Sequence, residues 1–245
     1  MSKTIEISLS PALFPFRTTT GKHTTVVIDV LRFTTSVCAA FDNGVKAVIP
    51  VASLEAAKAY KQNGYLIAAE RDGQKLDFAN LGNSAFDYMN PSVNGKTIAY
   101  STTNGTQAVL MAADDSLVAI GAFTNLKILT KWLIQQETDI LILCSGWKNL
   151  PSIEDTLCAG ALATLLSESG NFTISCDATL SAMDLWNLAE NNLAAFIEKS
   201  SHRKRLRDLG VDDVIPYSLQ IGISDPVPVY EHGKITNRAS KIAND

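Results

Sequence analysis

Along this chain, short apolar runs alternate with longer stretches in which apolar residues recur at helical spacing. That alternation predicts a largely parallel sheet covered by helices. The runs predict strands at Ile5–Leu9, Thr25–Ile28, Ala47–Val51, Leu66–Ala69, Thr97–Tyr100, Leu117–Gly121, Asp139–Leu143 and Thr173–Cys176. The longer stretches predict helices at Thr34–Asn43, Leu54–Gln62, Ser84–Met89, Gln107–Ala113, Asn125–Glu137, Ile153–Glu168, Ala178–Ile197 and Ser201–Leu209. Asn43-Gly44, Asn63-Gly64 and Ser169-Gly170-Asn171 supply helix-ending turns. From about Asp212 the pattern changes. The segment VPVYEHGKITNR reads as extended chain with a turn across Glu231–Lys234, expected as an antiparallel edge or a lid. The expected fold class is thus α/β: α/β/α layers around a largely parallel, mixed sheet, with a short antiparallel C-terminal elaboration. Without a linker, repeat or low-complexity stretch to divide it, the chain is expected to form one domain over residues 1–245.

Composition narrows the function classes. A chain of 245 residues can bury roughly 70% of its unfolded surface, so its core needs no disulfide or structural metal. A formal net charge of −4 argues against a general nucleic-acid partner. The cysteines Cys38, Cys144, Cys158 and Cys176 form no C-x-x-C pair and only His23, His202 and His232 accompany them, which excludes a zinc finger or a histidine-rich zinc site. Cys38 and Cys158 lie among apolar residues of expected helices, as in a reduced, cytoplasmic protein. The first residues lack the apolar core of a signal peptide, and no apolar run approaches the ~18 residues that span a bilayer. A homodimer is the default for a soluble enzyme of this size.

In such sheets, ligands bind beyond the carboxyl ends of the strands. Asp29 follows one strand, Glu70-Arg71 a second, TTNGT (102–106) a third and Ser145-Gly146 a fourth. The TTNGT loop fits an anion cradle, with Gly105 allowing close approach or positive φ and a helix N-terminus adding N–H groups. It equally fits a plain N-cap. Asp29, in VVIDVLRFTTS (26–36), is costly to bury unless a cation meets it. Mg2+ suits that role, and so does a salt bridge to Arg32, with Thr34 or Thr35 capping the helix. Asn83 and Ser84 either contact ligand or start a helix. In PSIEDT (151–156), Ser152 and Asp155 resemble a capping box, and Glu154 and Asp155 become site residues only if they face the rim that Asp29 faces. Arg203 and Arg205, in SHRKRLRDLG, are further anion contacts or a solvated helix face.

The common phosphatase nucleophiles are absent. Leu31 stands where D-x-D requires a second acid after Asp29, no cysteine begins C-x5-R, and Arg-His-Gly does not occur. The blocks VVIDVLRFTTSVCAAFDNG, AAERDGQKLDFANLGNSAFDY, YSTTNGTQA, CSGWKNLPSIEDTLCAGAL and SHRKRLRDLG, with the VPVY tail, resemble the 2-phosphosulfolactate phosphatase family over nearly the whole chain. The resemblance implies a Mg2+-dependent acid phosphatase with an α/β fold of its own, converting 2-phospho-3-sulfolactate to 3-sulfolactate and phosphate. In methanogens that step leads towards coenzyme M; the resemblance does not assign this chain to the pathway. It raises Asp29, Glu70 and Asp155 as catalytic candidates. Those three with Glu154 are metal candidates. Arg32, Arg71, Asn83, Ser84, Thr103, Asn104, Gly105, Ser145 and Gly146 are substrate-binding candidates. The two arginines and the TTNGT and CSG backbones would divide the phosphate, sulfonate and carboxylate. Attack by water or through a phosphoenzyme stays open, the missing D-x-D favouring water. The rivals are a phosphatase for another phosphorylated hydroxy acid and a non-catalytic binder of a phosphometabolite.

Overall fold

The computed structural model describes residues 3–113 and 116–238. Its strands are β1 (Lys3–Ser8), β2 (His23–Ile28), β3 (Ala47–Pro50), β4 (Leu66–Arg71), β5 (Gln74–Lys75), β6 (Thr97–Ser101), β7 (Leu117–Gly121), β8 (Asp139–Cys144), β9 (Phe172–Ile174), β10 (Pro228–Glu231) and β11 (Lys234–Asn237). They form one sheet in the order β5-β4-β6-β3-β11-β10-β7-β2-β8-β1-β9. Two parallel blocks can be recognised: β4-β6-β3 and β7-β2-β8-β1-β9.

The C-terminal hairpin β10–β11 is neither an edge nor a lid. It sits between the blocks, β11 pairing antiparallel with β3 and β10 antiparallel with β7. Its apolar content explains the correction: Val229 and Ile235 are buried, and a two-sided burial site exists only inside the sheet. Short β5, which pairs antiparallel with the end of β4, went unforeseen because two residues carry no periodicity.

The helices are α1 (Phe33–Asp42), α2 (Leu54–Gln62), α3 (Gly105–Ala112), α4 (Leu126–Ile134), α5 (Ile153–Glu168), α6 (Asp177–Ala189), α7 (Leu193–Ile197), α8 (Ser201–Asp208) and α9 (Ile215–Ser218). The expected helix over Ala178–Ile197 is broken. After Ala189 the chain makes a 3-10 turn, Glu190–Asn192, and the Asn192 side chain accepts from Ala195 N–H to cap α7. A side chain that competes for backbone donors ends one helix and begins another. The expected helix at Ser84–Met89 is a 3-10 turn, Ala85–Tyr88.

Strand β2 is buried throughout, and its alternation feeds two cores. Val26 and Ile28 pack with Ile5, Ile142, Leu129 and Leu162 on the side of α4 and α5. Val27 packs with Phe33, Val37, Val109, Ile98 and Tyr100 on the side of α1 and α3.

Between β3 and β7 lie three antiparallel pairings, so by pairing the two parallel blocks run in opposite directions. Sheet twist offsets that. At roughly 20–25° per strand step, the five steps from β6 to β2 turn the strand direction by about 100–125°. The carboxyl ends of β6 and β2 are thereby brought back to one side, and the loops after them meet.

Candidate active site

The loop after β2 is folded on itself. Thr34 Oγ1 accepts from Asp29 N–H at 3.1 Å while Thr34 N–H donates to Asp29 carbonyl at 2.9 Å. This holds Asp29, which is 7% exposed, at the start of α1. No ion pair joins Asp29 to Arg32 among the described residues, which removes the salt-bridge reading. Phe33 N–H reaches Asp29 Oδ1 only at 3.4 Å. Burial, and then the charges of Glu70 and Glu154, push the Asp29 carboxyl up to about 7, although His202 pulls the other way.

Gly105 opens α3 against this loop. A Cβ there would stand 2.6 Å from Asp29 Oδ2 and 2.5 Å from Phe33 Cδ1, closer than atoms can pack. The glycine serves close approach and not a positive φ.

Glu70, at the end of β4, is 3% exposed. It accepts from Thr103 N–H at 2.6 Å and from Gly73 N–H at 2.8 Å. Thr106 N–H donates to Thr102 Oγ1 at 3.0 Å. Three N–H groups of the TTNGT loop, those of Thr102, Thr103 and Thr106, thus donate inward, to Thr106 Oγ1, to Glu70 and to Thr102 Oγ1, leaving those of Asn104 and Gly105 at the start of α3. Asn104 Oδ1 accepts from Lys148 N–H at 3.2 Å, joining this loop to the one after β8.

The N–H groups of the CSG segment are engaged within the protein. Ser145 N–H donates to Ile28 carbonyl at 2.8 Å and Gly146 N–H to Asp155 Oδ2 at 2.9 Å. Gly146 has φ +56°, and a Cβ would lie 2.1 Å from the Leu150 carbonyl oxygen. After it, Trp147 and Leu150 exchange backbone hydrogen bonds around Lys148 and Asn149, both at positive φ (50° and 66°), as in a type I′ turn. The Ser145 hydroxyl is buried without a partner.

Asp155 caps nothing in its own helix, and Ser152 makes no side-chain cap bond. Instead Asp155 Oδ1 accepts from Val30 N–H at 2.8 Å, so its two oxygens tie the Asp29 loop to Gly146. Burial, with Asp29 and Glu154 close by, holds its carboxyl well above the usual range. Glu154, 1% exposed, meets His202 Nδ1 at 2.6 Å.

A cleft runs over these groups, lined by Asp29, Leu31, Arg32, Glu70, Gly73, Asn83, Asn104, Trp147, His202 and Leu206. Asp155 and Glu154 lie behind its wall. Arg71 turns away, donating to Glu70 carbonyl and to Ser101. Ser84 precedes the 3-10 turn, makes no cap bond and does not line the cleft. Asn83 lines it and accepts from Tyr100 Oη. Arg203 pairs with Glu198 on the solvated face of α8. Arg205 lies 3.4 Å over the Trp147 ring, with Nη2 buried and unpartnered.

Arg32 is the unusual member. It is 5% exposed, yet its one hydrogen bond runs to the Gly73 carbonyl, at 2.5 Å. A guanidinium carries five N–H donors, so four have no acceptor among the described residues. Those donors are not sealed off from the cleft, so an anion entering it can take them.

The donor set also bears on magnesium. Asp29 and Glu70 present hard carboxylate oxygens to one cleft, and Mg2+ takes one or two carboxylates together with phosphate and water. No three His, Cys, Asp or Glu residues form a metal-holding group among the described residues, so the residues fit Mg2+ held by two carboxylates and the ligand, and not a closed protein cage. Sequence reasoning missed His202 as a site residue. Its signal was a histidine inside SHRKRLRDLG, outweighed there by the arginines.

Fold and cleft thus define an α/β protein whose converging strand-end loops offer two carboxylates, one histidine and one unpaired arginine to a small polar ligand. The chain belongs to the 2-phosphosulpholactate phosphatase family, whose model matches residues 9–233. It is 37% identical over 211 residues to a probable 2-phosphosulfolactate phosphatase of Thermotoga maritima, covering 86% of this chain and 90% of the relative. It is 34% identical over 212 residues to a protein so named in Caldanaerobacter subterraneus subsp. tengcongensis, covering 85% and 88%. With another, in Prochlorococcus marinus, identity is 39% over 198 residues, covering 78% and 82%. Among the described residues no helix is long and apolar enough to cross a membrane.

Proposed function

We propose that this protein is a Mg2+-dependent phosphomonoesterase that hydrolyses 2-phospho-3-sulfolactate to 3-sulfolactate and phosphate. The observation that carries the reading is Arg32, buried in the cleft with no carboxylate partner and with free donors beside Asp29 and Glu70. Its planar fork matches a phosphate or sulfonate edge. Family membership and the names of the relatives support the substrate.

Asp29 and Glu70 would hold the metal. A bound Mg2+ supplies charge neutralisation on the phosphate oxygens. The other steps belong to the chain. Arg32 orients the anion, and Glu70, fixed by Thr103 and Gly73, sets the loop around it. Asp29, which faces the ligand position beside Glu70, takes the proton of the attacking water. Asp155 keeps the Asp29 and Gly146 loops in register.

Phosphate release from 2-phosphosulfolactate, with Mg2+ and with EDTA, tests the reading. Release that needs the metal is expected, and faster than from phospholactate, which lacks the sulfonate. Equal rates on both esters would transfer the function to a phosphatase for another hydroxy acid. Tight sulfolactate binding without release from any ester would make the protein a binder.

A further inference from the structure

We propose that His202 is the general acid that protonates the leaving alkoxide, held for that task by Glu154. This rests on the phosphatase reading and adds the residue that the reading lacks. An alkyl phosphate leaves as a strongly basic alkoxide, so its departure needs a proton donor within the cleft. His202 is the one imidazole lining it.

The geometry defines the proton's place. His202 Nδ1 meets Glu154 Oε1 at 2.6 Å. A carboxylate can only accept, so Nδ1 carries the proton of that bond and Nε2 is left to exchange with the ligand. No protein group accepts from or donates to Nε2 among the described residues. Glu154 Oε2 is buried without a hydrogen-bond partner, so the bond to His202 is the one side-chain hydrogen bond of this carboxyl among the described residues. The ring is boxed by Trp147, 5.6 Å away centroid to centroid. Arg205 stacks on that indole at 3.4 Å.

The charges around the ring come from every neighbouring segment. Glu154 lies on α5, Asp29 and Arg32 on the loop after β2, Glu70 at the end of β4, and Arg205 on α8 itself. Three of these groups are carboxylates and two are guanidinium groups.

The step balances as follows. Water oxygen bonds to phosphorus, the bond from phosphorus to the ester oxygen breaks, and that oxygen keeps the electron pair. His202 Nε2–H passes its proton to it, giving the sulfolactate hydroxyl. The water's proton goes to Asp29, and transfer through solvent from Asp29 to His202 restores both groups.

The test is kcat against pH for wild type, His202→Gln and Glu154→Gln on 2-phosphosulfolactate, with circular dichroism and melting to verify folding. Wild-type release validates the parent reading by itself; its absence would overturn that reading and not speak through the variants. Given release, His202→Gln should lower kcat by about 100-fold with KM changed little, and erase the basic limb of the profile. Glu154→Gln keeps the hydrogen bond to Nδ1 but loses the charge that favours imidazolium. Its basic limb should move to lower pH. Folded His202→Gln protein within threefold of wild-type kcat would overturn the proposal. So would an unmoved limb in Glu154→Gln, or phosphate trapped covalently on His202 by a denaturing alkaline quench, which would make it the nucleophile.

Discussion

At the residue scale, the cleft gathers groups that are costly to keep together. Asp29, Glu70, Glu154 and Asp155 are all buried, and that burial, with their mutual repulsion after it, appears in the raised carboxyls of Asp29 and Asp155. A carboxyl raised in the folded state binds a proton there that the unfolded chain has lost. Its stabilising contribution is full below the ordinary value near 3.8 and disappears as pH rises through about 7. In metal-free buffer, Asp29→Asn should therefore raise the melting temperature at pH 8. It should also flatten the decline that wild type shows between pH 4 and pH 7. Equal melting curves for the two proteins across that range would refute the buried-acid assignment. Gly105→Ala makes a separate point. With Phe33 and Asp29 Oδ2 within 2.6 Å of the new methyl, the variant should lose about 1–3 kcal/mol in urea unfolding, in the range of core overpacking. It should also lose most of its phosphate release, because Asp29 must shift.

At the element scale, the hairpin β10–β11 joins two parallel blocks that have no direct pairing with each other. Ile235, fully buried opposite Val48, should therefore behave as a core residue. Ile235→Ala should cost about 2–5 kcal/mol by urea unfolding, whereas at a solvated edge the loss would be a few tenths. The hairpin also shows what the sequence could and could not disclose. Its two extended segments and turn were readable from VPVYEHGKITNR, as were eight other strands and the polar residues after four of them. The insertion site was not, because pairing partners far apart in the chain leave no local periodicity. The break after Ala189 was hidden in the same way, since Glu190, Asn191 and Asn192 fit a helix face until the Asn192 cap is seen.

At the scale of the molecule, antiparallel blocks and sheet twist together bring the loops after β2, β4, β6 and β8 into one place, where α8 closes over them with His202. Sequence alone singled out Asp29, Arg32 and Glu70, which the fold brings to one cleft, because each directly follows or ends an apolar run. The CSG backbone and Arg71, also expected at the ligand, make hydrogen bonds inside the protein. The central claim is that Arg32 is left without a counter-ion so that the phosphoester can provide one. It is tested most directly by comparing kcat/KM for 2-phosphosulfolactate between wild type and Arg32→Met, with melting measured alongside. The account predicts at least a ~100-fold loss, with a melting temperature that stays level or rises once the unpaired buried charge is gone. Folded Arg32→Met protein that releases phosphate at the wild-type rate would contradict it.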